Sequence, residues 1–151
     1  MIFCGLPGSG KTTLATQLAE ELGAVRLCPD EWITHLGADH YDQPLRARVE
    51  SLQWELAQSL LLRGQPVVIE WGVWHRWERD ALHRWAREHD VPVELRYLEA
   101  PIEVLVQRIQ ARNEHQPWGT VPITEQDLRQ WAQEFEPPTK EELEAYDPPT
   151  T

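Results

Sequence analysis

The sequence predicts an α/β fold: a central parallel sheet of about four to five strands with helices on both faces and a helical lid. Three observations carry that prediction. Short apolar runs alternate with stretches whose apolar residues recur at helical spacing, which is the pattern of parallel strands joined by right-handed crossovers. The run "PVVIEWG" places Val67, Val68 and Ile69 in succession, as expected of a central strand buried on both faces. The first apolar run, "IFCG", breaks directly into a glycine-rich loop, "GLPGSGKT", that opens a helix.

The elements follow in order. After the loop, "TTLATQLAEELG" reads as a helix closed by Gly23. "AVRLC" is the second strand, and "DEWITHLG" a short helix with Asp30 near its start and Gly37 at its end. Past the polar loop "GADHYDQP", Pro44 opens a long amphipathic helix that Gly64 stops. The strand "PVVIEWG" leads to the helix "RWERDALHRWAREH", and "VPVELRYLEA" holds the fourth strand. Pro101 starts "PIEVLVQRIQARN", residues 114–122 form a loop with Pro, Gly and Trp, and a further helix begins near Thr124. The acidic, proline-rich tail, about 136–151, carries Thr139 and Glu142 at capping-box spacing for a last short helix, with a frayed end expected. There is no internal repeat, and residues 1–151 read as one domain with a lid at about 112–122.

Composition narrows the function classes. A chain of 151 residues buries a core without needing staples. It has no apolar run near the roughly 20 residues that cross a bilayer and no basic region leading into an apolar one, so a cytoplasmic protein without membrane contact is expected. The formal charge of −11 repels phosphate polymers and disfavours a nucleic-acid partner. Cys4 and Cys28 lie in or beside strand-like segments and are expected buried, reduced and inert. His35, His40, His75, His83, His89 and His115 show no metal-ligand spacing with them, which argues against zinc. His40, between Asp39 and Asp42, sits in a polar loop and is at most a substrate contact. Oligomeric state is open.

The pattern G-x-x-x-x-G-K-[ST] is matched by Gly5, Gly10, Lys11 and Thr12, with a strand before it and a helix after. Gly8 and Gly10 allow backbone conformations closed to other residues, so amide hydrogens approach phosphate oxygens while the helix points its positive end at them. Pro7, Gly8, Ser9, Gly10, Lys11, Thr12 and Thr13 are therefore the candidate cofactor-binding residues for a nucleoside triphosphate, ATP in the first instance. Lys11 reaches the β- and γ-phosphates, and Thr12 ligates Mg²⁺. The fold class is thereby the P-loop NTPase fold.

Four further positions are read with their alternatives. Asp30 follows the second strand, where open parallel sheets gather ligands. It is either a general base for an acceptor hydroxyl or a helix cap. Glu70 closes the third strand and either orients Mg²⁺ or binds local backbone or an arginine. Arg108 and Arg112 share a helical face leading into the 114–122 loop, as catalytic lid arginines that meet developing phosphoryl charge, Arg112 also as a cofactor-binding residue, or as solvated surface residues. Arg76 and Arg79 are secondary candidates for phosphate contact.

"GLPGSGKTTLA", the aspartate of "CPDEW", "VPVELRYLEAP" and "RNEHQPWGTVPI" together resemble the small P-loop kinase group, AAA-type ATP-binding proteins that include the kinase domain of phage-type polynucleotide kinase, chloramphenicol phosphotransferase and the zeta-toxin relatives. The likeness runs nearly end to end. It implies dependence on ATP and Mg²⁺, transfer to an alcohol group with Asp30 as base, and a mobile lid. Two departures bear on the acceptor. Where polynucleotide kinase has an arginine shortly after the catalytic aspartate, this chain reads "EWI", with Ile33; before the "GT" step it has His115, Gln116, Pro117 and Trp118 in place of basic residues. Both remove positive charge, which favours a small-molecule hydroxyl acceptor with Trp32, Trp71, Trp74 and Trp118 as candidate pocket walls. Trp54, Trp85 and Trp131 read as core. The alternatives are a polynucleotide 5′-hydroxyl kinase and a regulatory nucleotide-binding ATPase that transfers nothing.

Overall fold

The computed structural model describes residues 1–150. Four parallel strands, β1 (Ile2–Cys4), β2 (Val25–Leu27), β3 (Val67–Gly72) and β4 (Leu95–Tyr97), form one sheet in the order β2-β3-β1-β4. The sheet thus has four strands among the described residues, the lower end of the range predicted.

Strand alternation divides the core. Phe3 and Val68 face helix α1 (Lys11–Leu22) and pack with Ala15, Leu18 and Ala19. On the opposite face, Leu27, Val67 and Ile69 meet Ala57 of α3 (Gln43–Leu61), while Ile2 and Cys4 meet Leu82 and Ala86 of α4 (Arg76–Glu88). β1 and β3 are buried from both sides, which is why their sequences are continuous apolar runs rather than alternating ones. Both cysteines are free and buried, and burial raises their thiols to about 11 for Cys4 and about 12 for Cys28.

Local chemistry sets the helix starts. Asp42 caps α3 by accepting from the Leu45 amide, and Thr124 caps α6 (Glu125–Glu134) through the Asp127 amide. Helix α2 (Pro29–His35) starts on Pro29, and its cap residue is Cys28, with no side-chain bond. α5 (Ile102–His115) continues through the first residues assigned to the lid, so the loop proper is residues 116–124. Leu105, Val106 and Ile109 of α5 pack against Ile123 and Leu128, joining α5 to α6.

The tail corrects two expectations. It is docked, not frayed: the Tyr146 hydroxyl donates to the Arg79 carbonyl at 3.1 Å, the Asp147 carboxylate accepts from the Val93 amide at 2.7 Å, and the Thr150 amide donates to Glu94 at 3.2 Å. Only half of the capping box forms at α7 (Lys140–Glu144). Thr139 accepts from the Glu142 amide, but the Glu142 carboxylate turns inward to Arg79 at 2.6 Å.

Candidate active site

Parallel strands open their carboxyl ends on one edge, and there the loop after β1, the start of α2 after β2 and Glu70 of β3 converge. In the Gly5–Thr12 loop, Gly8 has φ +81° and lies under α5: a Cβ there would stand 3.2 Å from Ile109 Cγ1. Gly10, at φ +96°, is the cap of α1 and frees the helix's first amides. Pro7, Gly8 and Ser9 form the turn between them, and Thr13 follows Thr12 on α1 with its side chain exposed. The Ser9 hydroxyl is buried without a partner, the state expected of a polar group whose partner is a ligand. Lys11 folds back over the loop, donating to the carbonyls of Gly5 at 2.7 Å and Leu6 at 2.8 Å. Burial lowers its ammonium to about 8, so the loop holds a cation that gains from any anion placed beside it.

The Thr12 hydroxyl donates to Glu70 Oε1, leaving its lone pairs free. Glu70 Oε2 accepts from Arg26 at 2.5 Å, and Arg26 also binds Glu31. Glu70 therefore meets both an arginine, one of the alternatives read from the sequence, and the threonine expected to ligate the metal. Its side chain is only 4% exposed. Among the described residues no group of three or more His, Cys, Asp or Glu is placed to hold a metal ion, so a cation here would depend on Thr12, Glu70 and ligand oxygens.

Asp30 lies in the first turn of α2 without capping it. Its Oδ1 is bound by Arg46 of α3 and lies 3.5 Å from His40 Nδ1, while Oδ2 has no hydrogen bond among the described residues. The Thr34 hydroxyl donates to the Asp30 carbonyl at 2.8 Å and is 2.9 Å from His40 Nε2, which fixes the His40 ring beside the carboxylate. His40 thus lies beside the Asp30 carboxylate rather than free in the loop.

Arg108 and Arg112 both reach the site from α5. Arg108 donates to the Gly8 carbonyl at 3.2 Å. The Arg112 Nε is buried without a partner, and burial lowers its guanidinium from the ordinary value while the charges of Asp30 and Tyr41 oppose that shift. Beyond α5 the loop is clamped by Asn113, whose amide donates to the Ile123 carbonyl at 2.7 Å and accepts from its N–H at 3.1 Å. The loop rests on the Asp30 side of the molecule: Tyr41 donates to the Pro122 carbonyl at 3.1 Å, and Trp118 packs edge-on to His35 at 4.7 Å.

Other predicted contacts lie elsewhere. Arg79 is 1% exposed and is spent on Glu142 and on the carbonyls of Val73 and Trp74, so it holds the tail and no phosphate. Arg76 pairs with Asp80 at 2.9 Å. Trp71 donates its indole N–H to Gln53 and packs on Trp54, which also meets Trp85; Trp74 packs on Trp131, and Trp32 on the Leu27–Ile69 cluster. Of the four proposed pocket walls, only Trp118 stands exposed, at the loop. Arg26 was readable as a charge inside an apolar strand, whereas nothing local marked Arg46 among the residues of its helix.

Fold and site together define a P-loop nucleotide-binding domain. The model of the AAA domain family matches residues 1–138, and the chain belongs to that family. Among solved structures, it is similar to a chain of the Pnkp1/Rnl/Hen1 RNA repair complex, with 22% identity, TM-score 0.72, and coverage of 88% of this chain but 42% of that one. A gluconokinase from Sinorhizobium meliloti 1021 matches at 20% identity and TM-score 0.62, over 93% of this chain and 76% of that one. Chaetomium thermophilum Kti12 in complex with ADP-AlF3 matches at 19% identity and TM-score 0.62, over 91% and 80%. No curated protein matches the chain. No helix among the described residues is long and apolar enough to cross a membrane.

Proposed function

We propose that the protein is an ATP-dependent phosphotransferase that moves the γ-phosphoryl group to a hydroxyl of a small molecule. The observation that carries this reading is that Asp30, with one carboxylate oxygen anchored and the other free of hydrogen bonds, interacts electrostatically with Arg112, whose buried Nε lacks a partner and whose charge also acts on Lys11 of the Gly5–Thr12 loop. A base, a guanidinium for developing charge and a phosphate cradle are the parts phosphoryl transfer needs. Similarity to a gluconokinase and to a protein that holds ADP-AlF3 supports the reading at the level of fold.

In this mechanism the loop amides and Lys11 hold the triphosphate, with Lys11 exchanging its two carbonyl partners for phosphate oxygens. Thr12 would hold Mg²⁺, with Glu70 orienting the hydroxyl, and the ion would supply positive charge to offset that of the phosphates. Asp30 Oδ2 takes the proton of the acceptor hydroxyl as the acceptor oxygen bonds to the γ-phosphorus; the bond from that phosphorus to the β,γ-bridging oxygen breaks, ADP leaves, and Arg112 stabilises the equatorial oxygens. The loop at 116–124, already lying toward α2, excludes water.

The test is a screen of sugars, nucleosides and other polyols with γ-labelled ATP, run beside Asp30→Asn. Transfer of label to an organic acceptor by the native chain and not by the variant supports the reading. Release of inorganic phosphate alone across the screen would refute the transferase function.

A further inference from the structure

The turn after β3 holds a residue in a conformation that its side chain disfavours. Val73, only 2% exposed, has φ +34°, a left-handed backbone that β-branched residues avoid. Rotation about that bond sets where the preceding peptide points, and the oxygen of that peptide, the Gly72 carbonyl, accepts from the Gly5 amide at 3.3 Å. Gly5 has no slack on its other side, where a Cβ would stand 2.6 Å from the Leu98 carbonyl oxygen. Its own carbonyl accepts from Lys11 at 2.7 Å. The root of the phosphate loop therefore stands on a strained peptide.

What holds the strain comes from the far end of the chain. Arg79 Nη1 donates to the Val73 carbonyl at 3.0 Å and to that of Trp74 at 3.1 Å, and the Cys4 thiol donates to the Val73 carbonyl at 3.6 Å. The Arg79 Nε and Nη2 are taken by the Glu142 carboxylate at 2.6 and 3.2 Å, so α7 dictates where the guanidinium sits. The Trp74 carbonyl also accepts from the Glu136 amide at 3.0 Å. A backbone of this kind persists only where its surroundings over-determine it. Glu142 lies past residue 138, where the match to the AAA domain ends.

We infer that Arg79 is a positioning residue for nucleotide binding: anchored on Glu142, it keeps Val73 left-handed and so presets the Gly5 end of the Gly5–Thr12 loop for a triphosphate. The inference rests on the reading of that loop as a triphosphate cradle. Released from Arg79, Val73 relaxes to a negative φ, the Gly72 carbonyl swings off the Gly5 amide, and the loop must be ordered at the expense of binding. The C-terminal segment thereby acts on the loop through Arg79.

Calorimetry with Mg²⁺ and inorganic tripolyphosphate tests it, on full-length variants whose folding is checked by urea denaturation. Arg79→Met/Glu142→Leu removes both buried charges together and keeps their volume, so the fold is retained. This double variant should bind tripolyphosphate about tenfold or more weakly than the native chain. Adding Val73→Gly, which takes a positive φ without strain, should return most of the lost affinity even as the emptied core position lowers stability. Recovery against the direction of stability separates positioning from packing. Native affinity in the folded double variant, or a loss that Val73→Gly leaves in place, would overturn the positioning role. Hydrogen exchange on the native chain needs no variant to fold. Coupling is reciprocal, so tripolyphosphate with Mg²⁺ should slow the α7 amides about threefold more than those of α6. An equal change in the two helices would also overturn the role, while leaving the cradle intact. A native chain that binds no tripolyphosphate would instead refute the cradle, and the positioning role with it.

Discussion

Arg46 and His40 approach the same carboxylate oxygen of Asp30, Oδ1, and leave Oδ2 without a hydrogen bond among the described residues. A base anchored through one oxygen keeps its second lone pairs at a defined position. Asp30→Asn should therefore cut phosphoryl transfer, to water or to an organic acceptor, by about 10²- to 10⁴-fold. ATP affinity by calorimetry should stay close to native, because Asp30 makes no bond to the Gly5–Thr12 loop. Arg46→Gln frees the carboxylate to wander and should lower the transfer rate by about tenfold or more, again without weakening ATP binding. A native rate in both variants would remove Asp30 from the chemistry.

Arg26 is the counter-charge for Glu70, a carboxylate with 4% side-chain exposure. Removing one member of a buried pair strands the other charge. Arg26→Met should thus lower stability in urea by about 3–5 kcal/mol, and adding Glu70→Gln to that background should restore much of the loss. No recovery in the double variant would mean that Arg26 acts through packing alone.

The same physics governs Arg79 and Glu142, 1% and 2% exposed and bound through two nitrogen–oxygen contacts of 2.6 and 3.2 Å. Glu142→Ala should cost about 3–5 kcal/mol, whereas Arg79→Met/Glu142→Leu, which removes both charges, should come close to native stability. Matching denaturation midpoints for the single and double variants would contradict this.

These two pairs mark where the sequence stops being legible. The strand–loop–helix of residues 2–22 was readable because glycine spacing, lysine and threonine report one local geometry, and β3 because a β-branched run has few other uses. Asp30 could be placed by its position after a strand. Its anchor could not: Arg46 lies sixteen residues on, in a helix that also carries Arg48, and only the packing of α3 against α2 brings the two together. The role of Arg79, a secondary candidate for phosphate contact, is hidden for a related reason. An arginine in the first turn after β3 suits a phosphate, and nothing near it in sequence announces a buried partner sixty-three residues away. The tail was taken for a frayed end because its prolines and acids are typical of disorder, while Tyr146 and Asp147 find their partners only once α4 and β4 are in place.

Glu50 supplies a pH-dependent test. It sits one turn beyond Arg46, 3.7 Å from that guanidinium, and burial raises its carboxyl from 4.5 to about 7, with Arg46 opposing and Glu78 reinforcing the shift. Between pH 4.5 and 7 the folded chain holds a proton that the unfolded chain has lost. Stability therefore declines as pH rises through that window and levels off above it, by an amount on the order of 3 kcal/mol for this group alone. Glu50→Gln abolishes the titration. The variant and the native chain should have nearly equal melting temperatures at pH 4.5, and the variant should be the more stable at pH 8, with the gap opening between. Parallel melting curves for the two proteins across pH 4.5 to 8 would show that the Glu50 carboxyl is as well solvated in the folded chain as in the unfolded one.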